Sequence, residues 1–293
     1  IINDFGLKNN FNIYFKNLNS IGKNDAKLKN SPQIELMSTF KIDSSLPLKK
    51  KGSKYLNYLT PKLSFRLNPG DMKNSNELDR SINTDNIFDL NRLGLDDSFE
   101  EGKSLTIGLN YKKTSLENIN KFFETKIATV IRDKEEAFIP ISSGISKKDP
   151  NIFGSINNSF SEFFSINYDF IIDNDLKTLE YNQINTSFNY KNFSTNFNYI
   201  EESNPFGNSN TIENNTTLKL NDKNYLSFNT RRNRKIDLTE YYDLVYEYKN
   251  DCLVAGLKYN KTYYEDRDVR PSENLLFTIT LSPLTSLEQK VDQ

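Results

Sequence analysis

Histidine and tryptophan are absent from the sequence, and cysteine occurs once, as Cys252, among 293 residues. Without histidine the chain lacks the commonest general base and the commonest metal ligand of proteins. No phosphate-binding loop, nucleophile elbow or dinucleotide-binding fingerprint compensates for that absence. We therefore predict that the chain is not an enzyme, and that it has no catalytic residue, no metal site and no cofactor.

Long apolar runs are also missing, since no stretch approaches the roughly 18–20 residues that a membrane-spanning helix needs. This absence argues against a helical membrane protein. It does not exclude a β-barrel, whose strands alternate in polarity and average out in hydropathy. Hydrophobic residues make up only 36% of the chain, yet aromatic residues reach 13%. Because disordered chains are usually poor in aromatic residues, we predict a sheet with one wet face.

Charge of neither sign is in excess, because 38 lysines and arginines face 39 aspartates and glutamates. The balance gives no reason to expect a nucleic-acid partner. The strongest basic cluster lies within five consecutive residues and comprises Arg231, Arg232, Arg234 and Lys235. We interpret it as a strand end or loop that faces water or anionic headgroups.

Apolar and polar residues alternate with a period of two, the pattern of strands whose two faces meet different environments. The pattern is clearest at 104–112 and recurs at 253–260 and 274–281. Seven residues of the first two segments are predicted to face lipid: Leu105, Ile107, Leu109, Tyr111, Leu253, Leu257 and Tyr259. About 13 such strands, most near the ~9–11 residues that cross a bilayer, predict an all-β fold. The predicted architecture is an antiparallel transmembrane β-barrel, of which the chain forms a part, about half of a large barrel.

Two long irregular segments interrupt the strands, at 68–103 and 133–150, whereas tight turns such as 249–251 join others. Short turns on one side and longer loops on the other are typical of outer-membrane barrels. The carboxylate pairs Asp96/Asp97 and Glu100/Glu101 fall in the first long segment. We interpret that part as a solvated loop, because nothing indicates the dry pocket that a catalytic carboxylate requires.

The strand pattern also predicts how the chain is divided. We assign residues 1–283 to the C-terminal part of an outer-membrane barrel and 284–293 to a polar C-terminal tail. The outermost strands, 11–18 and 274–281, would then be edge strands, whose unpaired backbone groups favour aggregation. The chain begins at Ile1 without a signal peptide, so we expect that a signal was removed or that a longer chain precedes it.

Three blocks of the sequence resemble the LptD family (OstA/Imp), outer-membrane proteins of lipopolysaccharide assembly. The segment 244–281 is similar to the family's C-terminal strands, with a turn that carries cysteine. The segment 87–111 contains Asn91-Arg92, with Gly94 and Asp96 offset by one position from the family pattern, and 142–156 is similar to a third family block. The blocks occur in family order.

The resemblance implies a role and partners. Lipopolysaccharide would arrive from a periplasmic bridge protein, LptA, through an N-terminal domain outside this chain, and a lipoprotein, LptE, would plug the barrel. Lipopolysaccharide would then reach the outer leaflet of the cell outer membrane through a gap between the first and last strands of the barrel. The resemblance assigns one side of that lateral gate to Asn274, Leu275, Phe277, Ile279 and Leu281. It also implies that Cys252 forms a disulfide with a cysteine upstream of this chain.

Two other classes of protein remain open from the residues alone. One is a different outer-membrane barrel, such as a porin or a TonB-dependent receptor. The other is a soluble or secreted β-rich adhesin, which would bury its aromatic side chains between two sheets. The environment of the alternating apolar side chains distinguishes a barrel from an adhesin.

Overall fold

The structure is a computed structural model that describes residues 2–23, 30–148, 150–203, 205–263 and 270–281, and the backbone alone of 285–291. These residues contain one 3₁₀ helix, Ile141–Ser143, and a series of strands. In chain order the strands are β1 (Lys8–Ser20), β2 (Gln33–Ser45), β3 (Leu48–Lys51), β4 (Tyr55–Asn68), β5 (Gly102–Ser115), β6 (Phe122–Arg132), β7 (Ile152–Ser161), β8 (Phe164–Ile172), β9 (Leu179–Tyr190), β10 (Phe193–Glu202), β11 (Asn210–Asn221), β12 (Asn224–Asn233), β13 (Leu238–Lys249), β14 (Leu253–Thr262), β15 (Ser272–Leu281) and β16 (Thr285–Val291). Within this part of the chain, no helix has the length and apolar character needed to cross a membrane.

All the strands belong to one antiparallel sheet, in which strands that follow each other in sequence lie side by side. The short strand β3 stands apart from this order and pairs only with β4, just after Pro47. β1 and β16 lie at the two ends of the sheet, and within the described residues they do not pair with each other. The prediction of an all-β, antiparallel fold that forms part of a barrel is confirmed.

The sheet buries polar side chains and exposes apolar ones, the reverse of a soluble sheet. In β5, Ser104 and Thr106 are 3% and 2% exposed, while Ile107 is 42% exposed. The register continues this division across the sheet, because Ser104 pairs with Arg132, which is also buried, and Ile107 pairs with Leu63, which is also exposed. We name these the polar face and the apolar face. An exposed apolar band suits hydrocarbon and not water.

The two ends of the sheet differ in their connections. The two longest, 69–101 and 133–151, leave from the same end, which we term the long-connection end. The opposite, short-connection end carries tight turns at 162–163, 191–192, 222–223 and 250–252. In bacterial barrels the short turns face the periplasm. This rule predicts that the long-connection end faces the outer surface.

Aromatic rings cluster near both ends of the apolar face. Beside the short turns, the ring centroids of Phe160 and Phe164 lie 5.5 Å apart, and Phe188 lies 6.2 Å from its neighbour Phe193. At the long-connection end, Tyr242 lies 5.7 Å from Tyr263 in an edge-on contact. Two bands of rings at the borders of an apolar surface match the aromatic girdles of membrane barrels.

β16 corrects the predictions made for the end of the chain. The region assigned to a polar tail, 284–293, contains this strand, which pairs with β15 from Leu281 opposite Thr285 to Leu275 opposite Val291. Residues 282–284 and 292–293 lie outside the described part. The prediction that 274–281 is an edge strand is therefore wrong. Strands pair through backbone groups, so a polar stretch without apolar alternation can still join a sheet.

Candidate functional site

The two long connections, 69–101 and 133–151, fold back over the polar face and supply most of the hydrophobic core of the described chain. Their buried apolar side chains are Met72, Ile82, Ile87, Leu93, Leu95, Ile139 and Ile145. The strands contribute Ala128, Val130, Phe153 and Ile171, from β6, β7 and β8. We name this assembly the luminal cover, because it closes one part of the face that a barrel turns inward. Sequence reasoning missed it, although the isolated isoleucines and leucines in a polar segment were a signal.

Phe88 fixes the first long connection to the sheet. Its ring lies on Gly108 of β5, where an added Cβ would stand only 2.7 Å from the ring Cζ atom. The ammonium of Lys62 lies 5.3 Å from the ring centroid, and Lys41 Nζ donates a hydrogen bond of 2.5 Å to the carbonyl of Phe88. A glycine is therefore required on β5 for this close approach.

One buried carboxylate, Glu100, joins the luminal cover to two strands through three arginines. Arg92 of the same connection donates from Nε and Nη2 at 2.7 and 2.5 Å. Arg132 of β6 donates to the same carboxylate, and Nη1 of Arg66 on β4 lies 3.6 Å from it. The four side chains are between 0% and 5% exposed. We refer to them as the Glu100 cluster.

The surplus positive charge of the Glu100 cluster is balanced by carbonyl groups of the cover. Arg66 donates to the carbonyls of Asp89 and Leu90, and Arg132 donates to those of Ile145 and Glu101, the latter at 3.1 Å. Buried charges are stable only when their hydrogen-bonding groups are satisfied in this way. The strand arginines thus hold both long connections at once.

The electrostatics of Glu100 suit an anchor and not an acid–base group. Burial disfavours its negative charge, but Arg92, Arg66 and Arg132 outweigh that effect and hold the pKa of Glu100 well below its ordinary value. The prediction that this carboxylate is solvated is wrong, because two of its partners come from strands remote in sequence. Asp96 and Asp97 are exposed, as predicted.

The residues predicted to face lipid lie on the apolar face by strand register. Ile107, Leu109 and Leu257 are exposed, and the other members, Leu105, Tyr111, Leu253 and Tyr259, share their parity on β5 and β14. The hydroxyls of the two tyrosines end in polar contacts, with Asn57 at 2.9 Å and Glu273 at 2.8 Å. These polar contacts fit a position of both rings at the membrane–water interface. Lipid contact itself stays a prediction.

The strand predicted to form a lateral gate is β15. Leu275, Phe277, Ile279 and Leu281 lie on its apolar face, while Asn274 lies on the polar face opposite Asn260. β15 is covered on both edges, by β14 and β16. The free edge at this end of the described sheet therefore belongs to β16, one strand beyond the prediction.

Cys252 lies in the turn 250–252 at the short-connection end. Its side chain is exposed, and it is a free thiol. The turn is held by Asn250, whose side-chain oxygen accepts hydrogen bonds from the amides of Cys252 at 3.0 Å and Leu253 at 2.8 Å. Cys252 thus lies at one rim of the sheet, and both the periplasmic side of that rim and the disulfide stay predictions.

A family comparison assigns the chain. The model of the LptD family, described as LPS transport system D, matches residues 14–234, which include both long connections and the whole Glu100 cluster. The chain belongs to the LptD family. It is a β-barrel protein of the outer membrane, and its family serves lipopolysaccharide transport and is not a family of enzymes. The expected resemblance is confirmed.

The LptD-family chain is also similar to solved porin structures at low identity. An engineered variant of the Rh. blastica porin has a TM-score of 0.37 and 10% identity, with 94% of this chain and 90% of the porin covered. A triple mutant of the Rhodopseudomonas blastica porin has a TM-score of 0.37 and 9% identity, with 96% and 92% covered. No curated protein matches the chain.

Proposed function

We propose that this chain is about half of the wall of a large barrel that inserts lipopolysaccharide into the outer leaflet of the outer membrane. Three features together carry the proposal: an apolar face exposed across the sheet, an opposite face that a luminal cover closes in part, and two sheet ends that do not pair with each other within the described residues. A porin or receptor wall would share the first feature. The family match favours the transport role over these alternatives.

The lateral gate is proposed at the closing hairpin β15–β16. Strand β16 presents its outer edge to the first strand of the complete barrel, and β15 supports it with apolar side chains such as Phe277 and Ile279. A weak seam between these strands would let the lipid part of the substrate pass sideways while the polar part stays inside. The short length of β16, seven residues, and its mainly polar sequence favour weak pairing at this seam.

Disulfide cross-linking tests the gate. A cysteine pair that joins β16 to the first strand of the complete barrel should block lipopolysaccharide export, and reductant should restore it. The matched control is a pair at Ser194 and Thr217, which already lie opposite each other on β10 and β11. Cross-linking there should leave export unchanged. Normal export with the gate pair fully oxidised would refute the role.

The uncovered part of the polar face is proposed to contact the plug lipoprotein LptE. Beyond the luminal cover, Asn196 and Asn215 pair across β10 and β11 and are exposed. A photo-reactive residue in place of Asn215 should yield an adduct with the plug. The same residue in place of Phe197, on the apolar face, should not. Absence of a protein adduct at 215 contradicts the contact.

The contact with the periplasmic bridge protein is proposed to lie in a domain outside this chain. LptA would deliver the substrate to an N-terminal domain, and Cys252 would tie the barrel to that domain by a disulfide. The exposed position of Cys252 at the short-connection end supports this proposal, because an exposed lone thiol in an oxidising compartment tends to acquire a partner.

A further inference from the structure

The basic cluster at 231–235 is divided by the fold, and only part of it is neutralised. Arg231 points to the polar face, where Glu240 and Glu213 lie 2.9 and 3.4 Å away. Arg232 is paired with Asp237 at 2.5 Å. Arg234 and Lys235 contact uncharged groups instead. These two cations therefore remain available to an anion.

Arg234 is held on the apolar side of the sheet by an aromatic ring. Its guanidinium carbon lies 5.5 Å from the ring centroid of Tyr199, and Nη1 donates to the tyrosine hydroxyl at 3.3 Å. Tyr199 shares the parity of the exposed Phe197 on β10, so the stack lies at the border of the apolar face. Stacking leaves the other guanidinium N–H groups free to donate.

The carboxylate that shares Tyr199 with Arg234, that of Glu201, already accepts several hydrogen bonds. It accepts hydrogen bonds from Tyr199 at 2.7 Å, Asn182 at 3.0 Å and Asn210 at 3.2 Å. Three donors satisfy the carboxylate without Arg234. The guanidinium of Arg234 attracts Glu201 through space, but no hydrogen bond or salt bridge joins the two side chains. The N–H groups of Arg234 beyond its contact with Tyr199 are therefore not used by Glu201.

The turn 234–237 sits at the long-connection end, where a membrane barrel meets the headgroups of the outer leaflet. Lys235 donates to the side chain of Asn208, and Ile236 beside it is 59% exposed. This arrangement of two cations beside an exposed isoleucine, at the end of an apolar face bordered by tyrosines, matches the membrane–water interface. There the acyl chains lie on the bilayer side and the anionic headgroups on the water side.

We propose that Arg234 and Lys235 bind the phosphate of a lipid headgroup in the leaflet at the long-connection end. The site faces the bilayer and not the lumen. It is therefore a contact for a resident lipid at the barrel wall, separate from the transport path. The occupant is an anionic, phosphate-bearing lipid, because both free groups are cations and a guanidinium matches phosphate geometry.

Native mass spectrometry of the complete protein, with lipid A that carries two phosphates as the probe, tests the site. The double variant Arg234→Gln/Lys235→Gln should bind this lipid about 25-fold more weakly, because each cation near anionic lipid contributes about fivefold. The matched control Lys147→Gln/Lys148→Gln removes two exposed lysines at the same end of the sheet. It should change binding less than twofold.

Three outcomes would overturn the proposal: an unchanged affinity in the double variant, an equal loss for phosphatidylcholine, or an equal loss in the lysine control. Displacement of lipid A by inorganic phosphate would assign the site to a soluble anion and would also overturn it. Heat-modifiable gel mobility checks that each variant folds. If the double variant fails to fold, Lys235→Gln alone should still weaken binding about fivefold, and unchanged binding refutes the site.

Discussion

Glutamine in place of Glu100 should release the luminal cover while leaving the barrel wall intact. The substitution keeps the size of the side chain but removes the carboxylate that three arginines share. Arg92 could keep at most one of its two bonds, of 2.7 and 2.5 Å, because the amide retains one oxygen and its NH2 group would face a guanidinium donor. Arg66 and Arg132 would lose their counter-ion. Breaking one partner of a buried ion cluster costs about 3–5 kcal/mol, because the remaining charges stay buried.

The substitution should lower the free energy needed to open the luminal cover locally by this amount. Strand arginines would still donate to carbonyls at 89, 90, 101 and 145, so the cover should open more often and not unfold entirely. Amide hydrogen exchange measures this opening directly. We expect exchange in 91–98 to accelerate by about two to four orders of magnitude, while the amides of β5 keep their protection.

The matched control is Asp97→Asn. Asp97 lies in the same connection, but its side chain is 55% exposed and its ion pair with Lys73 is 3.5 Å long. Exposed pairs of this kind contribute at most about 1 kcal/mol. Equal acceleration in both variants, or no acceleration in Glu100→Gln, would refute the reasoning that the cluster anchors the cover.

The remaining predictions concern the pH dependence of the cover, the apolar face, the contact of Phe88 with Gly108, and Cys252. Because the pKa of Glu100 is lowered in the folded state, the carboxylate contributes its full stabilisation of the cover above the ordinary pKa of 4.5, and this stabilisation is lost as pH falls through the folded-state pKa. Hydrogen exchange at pH 4 should therefore still show a protected cover. Loss of protection at that pH would contradict the negative charge assigned to Glu100. Lysine in place of Leu257 should cost about 2–4 kcal/mol in folding into vesicles. Lysine in place of Thr280, on the polar face of β15, should cost less, and equal costs would argue against a lipid face. Valine in place of Gly108 should displace Phe88 and expose 69–101 to protease, at a cost of about 1–3 kcal/mol in stability. Phe88→Ala in the same chain should relieve the clash. Resistance to protease equal to that of the wild type would contradict the close contact of Phe88 with Gly108. Cys252 should resist thiol labelling in the complete oxidised protein until reductant is added, and stoichiometric labelling without reductant would end the disulfide proposal.

The local pattern of the sequence determined the strands and their faces. The alternation at Leu105, Ile107 and Leu109 is a property of consecutive residues, because side chains of a strand point to opposite sides wherever the strand lies. The same pattern showed that the second face is polar, and with the absence of apolar runs it indicated a barrel. It did not reveal β16, whose residues 285–291 lack apolar alternation and join the sheet through backbone pairing.

Only the tertiary structure decided what the long connections do. Glu100 sits in a stretch of charged residues that is typical of a solvated loop, and its burial depends on Arg66 and Arg132, which are more than 30 residues away along the chain. Likewise, Arg231 and Arg234 are close neighbours in sequence but reach opposite sides of the sheet. A charge is buried or exposed according to the partners that the fold brings to it, and those partners are not local in sequence.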